Sequence, residues 1–359
     1  MFHKLKDKFR MSRFSLSDDQ TKALRQFKTW LASGSREFRL GGLAGTGKTT
    51  IVSQICEMIG QCDVFAPTAR AAQVLRAKGI EANTLHSLLM KFTHEEIDDR
   101  GRVVPQFIDK NAHRQIMAVD ESSMVSRGMY QKIMRCADRV VWIGDYGQLP
   151  PVEQDASGFC LMNEETLNAK LTTQHRHAGN GELIDFANHL RAGKSPSEFV
   201  AIATVTINPP VANGKDVVQY AAECGASIVI CYTNQWRAGF NIEMRRLLDM
   251  PETGFCQGLK ITCSKNHYRE KICNGEMFEV KSNTGSEIST TCGRMFQATF
   301  DKTKTKCVLV EDGFAVTCHK AQGSEFAKVV VVEDAIACPH WRYTAATRAQ
   351  KSLTYFQNR

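Results

Sequence analysis

Residues 42–49 read GLAGTGKT, with Gly42 and Gly47 followed by Lys48 and Thr49, set between an apolar run and a helical stretch. Glycines at this spacing let successive backbone N–H groups wrap phosphate oxygens, and the helix N-terminus adds partial positive charge. The pattern predicts an ATP cradle formed by Gly42, Ala44, Gly45, Thr46, Gly47, Lys48, Thr49 and Thr50. Lys48 would reach the β- and γ-phosphates, and the Thr49 hydroxyl would ligate Mg2+. A cradle alone does not hydrolyse ATP. The acidic pair in IMAVDESS supplies the second requirement: Asp120 to hold magnesium beside Thr49, Glu121 to orient and deprotonate the attacking water. An Asp-Glu pair after a strand reads, on its own, as a solvated turn or a helix cap. The IMAV run before it and the 42–49 loop together favour the chemical reading. In WIGDYGQLPPV, Gln148 is the third element, because its amide both donates and accepts and can sense a γ-phosphate. Transition-state charge calls for a cation, and Arg176 in LTTQHRH and Arg348 in YTAATRA are candidates. An arginine on a surface helix is otherwise a salt-bridging residue, so these two stand on their motif setting.

Such residues need a scaffold that brings strand ends together. In the first half, the apolar runs at 37–45, 63–68, 115–123 and 138–145 each end in a polar or glycine-containing signature, with helical stretches between them. The second half repeats this at 226–234, 314–323, 328–334 and 352–356. Strand, polar tip and helix in alternation predict open parallel sheets, with ligands at the carboxyl ends of the strands. The expected fold class is α/β, two parallel-sheet domains in tandem over residues 1–178 and 179–359. A β-hairpin insertion is expected at about 90–114, turning at Asp98 to Gly101. A small β-barrel insertion is expected at about 255–312, from the pieces LKITCSK, EMFEVKS, MFQATFD and KCVLVED.

Composition narrows the class. The chain has 359 residues, 43% hydrophobic and 23% charged, and no apolar run reaches the roughly 18 residues that cross a bilayer. No membrane partner is therefore expected, and the chain reads as cytoplasmic. The basic, amphipathic stretch 1–14 lacks the apolar core and cleavage site of a secretory signal. It reads as a basic arm or an upstream start, with Met11 a second initiation point. Thirteen cysteines are an odd number without any C-x-x-C spacing, so reduced thiols are expected rather than disulfides or a zinc site. The net charge of +8 favours a polyanionic partner only weakly.

GLAGTGKT, APTARAA, NTLHSLL, VDESSMV, GDYGQLPPV, LTTQHR, CYTNQWRAGFN, VTCHKAQGSEF and YTAATRA occur in this order. The series resembles the successive motifs of superfamily 1 DNA helicases of the RecD-like and phage Dda-like branch, over residues 20 to 350, which implies that the two parallel-sheet domains are RecA-like and the inserted β-barrel SH3-like. The resemblance implies that Gln20 reads the adenine edge and that Gly323 and Glu325 close on the γ-phosphate and ribose. It makes Arg176 and Arg348 arginine fingers on the two sides of the cleft. It also implies strand contacts at Pro67, Thr68, Thr84 and His86 in the first domain, and at Asn234, Thr317, His319 and Lys320 in the second. These side chains suit a tracker of the phosphate backbone, with no evident set of base-edge readers. His86, following an apolar helix start, also has a reading as a buried structural residue. Asn274-Gly275 is expected as a tight turn, with Lys265 and His267 as further contacts to consider.

The implied activity is ATP-dependent unwinding of duplex by a motor moving 5′→3′ on single-stranded DNA and at ss/ds junctions. Single-strand-binding, replication or recombination proteins are the implied partners. Two departures stand out: the barrel insertion lacks the long protrusion of phage Dda-like enzymes, and the 90–114 hairpin matches the strand-separating pin in position rather than in residues. Phe107 or Val104 would be its apolar wedge. A translocase that does not unwind, and an RNA-directed helicase, share most of these motifs. A nucleotide-binding switch without motor activity explains the phosphate loop but not Arg348 or the second strand-gripping set.

Overall fold

In the computed structural model of the chain, the residues described are 16–60, 62–97, 103–110, 112–151, 158–175, 181–209, 214–267, 270–301, 304 and 307–357. The basic stretch 1–14, the 98–101 turn and Arg176 lie outside them. Along the first half run α1 (Asp18–Ser33), β1 (Glu37–Gly42), α2 (Lys48–Ile59), β2 (Asp63–Ala66), α3 (Ala69–Ala77), β3 (Ala82–Thr84) and α4 (Leu85–Leu89). Then come β4 (Met90–Ile97), β5 (Val103–Asp109), β6 (Arg114–Val119), α5 (Arg127–Cys136), β7 (Ala137–Gly144) and β8 (Ala169–Leu171). Six of these strands form a parallel sheet in the order β3-β2-β6-β7-β1-β8, while β4 and β5 pair with each other antiparallel.

The second half begins with α6 (Gly181–Arg191), β9 (Val205–Ile207), α7 (Gly214–Glu223), β10 (Ile228–Cys231) and α8 (Asn234–Leu247). A run of strands follows: β11 (Lys260–Cys263), β12 (Met277–Asn283), β13 (Ile288–Thr290), β14 (Met295–Phe296), β15 (Ala298–Thr299) and β16 (Val308–Asp312). The chain returns through β17 (Ala315–Thr317), α9 (Cys318–Ala321), β18 (Phe326–Val332), α10 (Pro339–Ala346) and β19 (Ala349–Phe356). The second parallel sheet has the order β17-β10-β18-β19-β9, and β14-β13-β12-β11-β16-β15 form a separate sheet.

The reason lies in the burial of the runs. In β6, β7 and β10 successive residues are apolar rather than alternating, and Val119, Val140, Trp142, Ile143 and Ile230 are fully buried. Strands buried on both faces are what a parallel sheet between helix layers requires. In α1, Ala23, Phe27 and Trp30 make one helical stripe, and Phe27 meets the β1 ring of Phe38 edge-on at 5.5 Å. Gly34 ends α1 in the left-handed conformation, at φ 73°. The separate sheet shares a core with the second parallel sheet, as Ile261, Phe278 and Val310 pack with Val229, Ala315 and Val330. A buried two-pronged pair reinforces the junction: Arg245 Nε and Nη2 each lie 2.6 Å from an Asp312 carboxylate oxygen. Among the described residues no helix is long and apolar enough to cross a membrane.

Candidate active site

β1 ends in the 42–49 loop, and α2 starts at Lys48 on Gly47, whose φ is 77°. Only glycine fits there easily. The backbone is left-handed, and an added Cβ would stand 2.4 Å from Gln20 Nε2. Gln20 therefore lies on the loop itself. Its Nε2 donates to Thr46 O (3.2 Å), and its Oε1 accepts from the Ser17 N–H (3.1 Å). Thr46 is fully buried, with its hydroxyl on Leu43 O, while Thr49 and Thr50 form the first turn of α2. Lys48 Nζ donates to Gly42 O and Leu43 O at 2.8 and 3.1 Å and stands 3.7 Å from the Asp145 carboxylate.

In this sheet β7 separates β6 from β1, so Asp120 and Glu121 at the end of β6 face the loop across one strand. Asp120 is buried, and its N–H donates to Phe65 O at 2.9 Å. Glu121 adopts a left-handed backbone, φ 52°, which is uncommon for a side chain of its size and turns the carboxylate off the strand direction. Burial pushes both carboxyls up. For Glu121 the neighbouring Asp120 charge adds to the effect and Lys48 and Arg348 oppose it, leaving a pKa of about 6. As a base, Glu121 works in its ionised form, so kcat/KM for ATP should fall about tenfold per pH unit below pH 6 and level off above it. A profile flat through this range would remove Glu121 as the base.

Three buried polar atoms near these strand ends have no hydrogen-bond partner among the described residues: Glu121 Oε2, Ser123 Oγ and Gln148 Oε1. Such orphans are costly unless something polar completes them. They fit a site built for water, phosphate and a hydrated magnesium ion. Gln148 is itself buried, with Nε2 3.4 Å from Asp145 Oδ2. Asp145 also accepts from the Gly147 N–H at 2.9 Å, so one carboxylate organises Lys48, Gly147 and Gln148.

The other expected nucleotide residues fall differently. Arg348 is buried, but its guanidinium is spent on Thr344 O, Ser324 O and Thr347 Oγ1 at 2.9–3.1 Å. Gly323, at φ 73°, faces Thr68 and Ala71 across the cleft. Glu325 is on the surface, where it accepts from Gln350 at 2.8 Å.

Residues not singled out in the sequence also converge here. Tyr343 of α10 bonds both the phosphate loop and Asp145. The His175 N–H donates to Gly45 O at 2.7 Å, with its ring against Gly47. Lys78 Nζ lies 3.4 Å from Thr49 Oγ1. Asp19 ties α1 to the 172–175 loop by accepting from the Thr172 and Thr173 N–H groups at 2.6 and 2.7 Å. Burial acts to raise the Asp19 carboxyl, but Ser17 and these backbone donors outweigh it and hold it well below the usual range. Its contribution is therefore present above the ordinary carboxylate pKa and lost only in strong acid. Asp19→Ala should cost on the order of 1 kcal/mol in denaturant unfolding, since water screens these exposed bonds, and should raise KM for ATP by loosening Gln20.

The expected strand contacts sit at equivalent corners of the two sheets. Thr68 caps α3 after β2 and Thr84 caps α4 after β3, with hydroxyls accepting from Ala71 and Ser87 N–H at 3.1 Å. Pro67 precedes the first of these corners, and His86 is exposed, against its reading as a buried residue. In the second sheet, Thr233 caps α8 after β10 and Thr317 begins α9 after β17. In each sheet these strands are one edge strand and its neighbour, β3 with β2 and β17 with β10. Exposed Asn234 and His319 and partly buried Lys320 border the second pair of corners. Lys320 and Arg237 both bond Glu311 Oε2, at 3.1 and 2.8 Å, and Arg237 also donates to Asn234 Oδ1. In the β4–β5 ribbon Phe107 is exposed, and the Val104 side chain is outside the described residues. In the separate sheet, Gly275 has φ 81° after Asn274, and the Gly275 N–H donates to Cys263 O at 2.8 Å.

A family model described as an AAA domain matches residues 15–205, and one described as a UvrD-like helicase C-terminal domain matches residues 312–354. The ATP-dependent RecD2 DNA helicase of Deinococcus radiodurans is 27% identical over 94% of this chain and 48% of its own length. The chain belongs to superfamily 1, in its RecD-like and Dda-like branch. The ATP-dependent DNA helicase dda of phage T4 is 30% identical over 43% of this chain and 38% of its own. This superfamily 1 chain thus spans about half the length of the RecD2 relative. Among solved structures, a Bacteroides Pif1 bound to ssDNA is 20% identical, with a TM-score of 0.59 over 95% of this chain and 92% of that one. Pif1 helicase from Candida albicans is 18% identical, with a TM-score of 0.57 over 96% of each chain. At these identities the likeness is one of fold.

Proposed function

We propose that the chain is an ATP-dependent DNA helicase whose two RecA-like domains, residues 1–178 and 179–359, close and open on single-stranded DNA and move 5′→3′. The observation that carries this reading is the matched placing of threonines at helix starts, Thr68 and Thr84 against Thr233 and Thr317, after strands of two parallel sheets, with the phosphate loop bonded to α10 of the second half. Backbone N–H groups and hydroxyls at helix starts suit phosphates and ignore base identity. The Pif1 relatives include one solved on ssDNA and one described at forked dsDNA, which supports strands and junctions as substrates.

Lys48 and the loop N–H groups bind the ATP phosphates, and Gln20 meets the adenine edge. Thr49 and Asp120 would hold magnesium, which when bound neutralises charge on the β- and γ-phosphates. Glu121 takes the proton of the attacking water on Oε2, and Gln148 Oε1 orients that water. Arg176 and Arg348 meet the developing charge, Arg348 by releasing Ser324 O and Thr344 O. Gly323 and Glu325 belong to the second domain's closing face. Closure shifts the Asn234, Thr317, His319 and Lys320 grip relative to Pro67, Thr68, Thr84 and His86, and reopening completes a step. The hairpin at 90–114, with Phe107 or Val104 at its wedge, parts the duplex, and residues 255–312 form an SH3-like barrel beside the track.

ATP turnover measured with single-stranded DNA and RNA oligonucleotides of equal length tests the substrate. Stimulation by DNA is expected; stimulation by RNA alone would replace the DNA reading with an RNA-directed one.

A further inference from the structure

One side chain that joins the two halves of the chain at the phosphate loop is covered by no motif role. Tyr343 projects from α10 and is 1% exposed. Its hydroxyl accepts from the Ala44 N–H at 2.8 Å and donates to Asp145 Oδ2 at 3.0 Å. A phenol has one proton and can also accept, so a single oxygen reads the loop backbone and the carboxylate that organises Lys48 and Gln148. Its neighbours hold the same stretch. Thr344 Oγ1 accepts from the Leu149 N–H at 2.9 Å, and Gln322 Nε2 donates to Leu149 O at 3.3 Å. The fit leaves no slack, since a Cβ on Gly147 would stand 2.9 Å from the Tyr343 ring. At the far end of the same segment, Arg348 Nε donates to Thr344 O at 3.0 Å.

We propose that Tyr343 is a positioning residue that couples movement of the second domain to the phosphate loop and to Asp145, so that strand engagement reaches the hydrolytic site through its hydroxyl. The proposal rests on the reading of the chain as a strand-driven ATPase. Burial raises the phenol well above its ordinary range, as does the neighbouring Asp145 charge, so the hydroxyl keeps its proton and its donor role throughout the working pH range. Phenylalanine at this position would keep the packing but leave a buried N–H and a carboxylate oxygen without their shared partner. The loop would then no longer be tied to the lobe that carries Arg348.

The test compares wild type, Tyr343→Phe and Thr344→Val for basal ATP turnover, turnover with a saturating oligo-dT strand, KM for ATP and thermal midpoint. In Tyr343→Phe the ratio of stimulated to basal turnover should fall by about tenfold or more, mainly in kcat, as expected for an interaction that matters during turnover rather than in ATP binding. Thr344→Val, which removes the neighbouring bond to Leu149, should lower the ratio in the same direction. Wild-type stimulation with an unchanged ratio in both variants overturns the coupling role. So does an equal fall in basal and stimulated rates, the mark of a structural role. A wild type that strands do not stimulate overturns the motor reading itself, which separates the two failures.

Discussion

Lys48→Ala is expected to reduce strand-stimulated ATP turnover by at least about 10²- to 10³-fold, the scale of removing a preorganised charge from a phosphate site, while strand binding survives. The size of the effect follows from how Lys48 is held. Its ammonium bridges Gly42 O and Leu43 O within the loop and stands 3.7 Å from Asp145, so it is aimed before any nucleotide arrives. Alanine removes the cation and leaves Asp145 uncompensated beside the phosphate position. The threonine corners at 68, 84, 233 and 317 are formed by other segments and should hold strand unchanged. Turnover and strand affinity, measured on the same variant, separate these roles. Normal turnover in Lys48→Ala would sink the nucleotide-site assignment.

Glu121→Gln is the second large expectation. Removal of a general base typically costs about 10² to 10⁴ in rate. Glutamine preserves shape and hydrogen bonding but cannot accept the proton of water. The left-handed backbone at φ 52° and the unpartnered Oε2 are both consistent with a carboxylate held for one task. ATP affinity should be kept or improved, because a buried negative charge beside Asp120 is gone. The variant should therefore hold ATP and strand together without turning over. Equilibrium binding of ATP against turnover reads this out, and a proportional loss of ATP affinity would assign Glu121 to binding instead.

Much of the site was legible because its chemistry demands fixed types at fixed short spacings. A cradle needs its glycines and its lysine within eight residues, as in GLAGTGKT, and an acidic pair must follow a buried run, as in IMAVDESS. The long apolar runs of β6, β7, β10 and β18 announced parallel strands for the same reason: burial on both faces leaves no polar alternation. What escaped was short or distant. The three-residue strands β3, β8 and β9 carry too little pattern to stand out from loops, yet they form sheet edges. Tyr343 meets Ala44 across 299 positions of sequence, and nothing local in YTAATRA tells its tyrosine from a core aromatic. Thr233 and the adjacent Asn234 are both favoured cap types, so only the start of α8 tells which of them caps it. Arg348 shows the converse. Its motif was readable, but its bonds to Ser324, Thr344 and Thr347 depend on the tertiary fold.

The most direct test of a strand motor is unwinding of forked duplexes carrying a single-stranded tail on the 5′ side, the 3′ side, both or neither, with ATP and magnesium present. ATP-dependent separation is expected for the substrates with a 5′ tail, none for the blunt duplex, and no separation of any substrate in Lys48→Ala. Strand-stimulated ATP turnover without separation of any fork would contradict the helicase claim and leave a translocase.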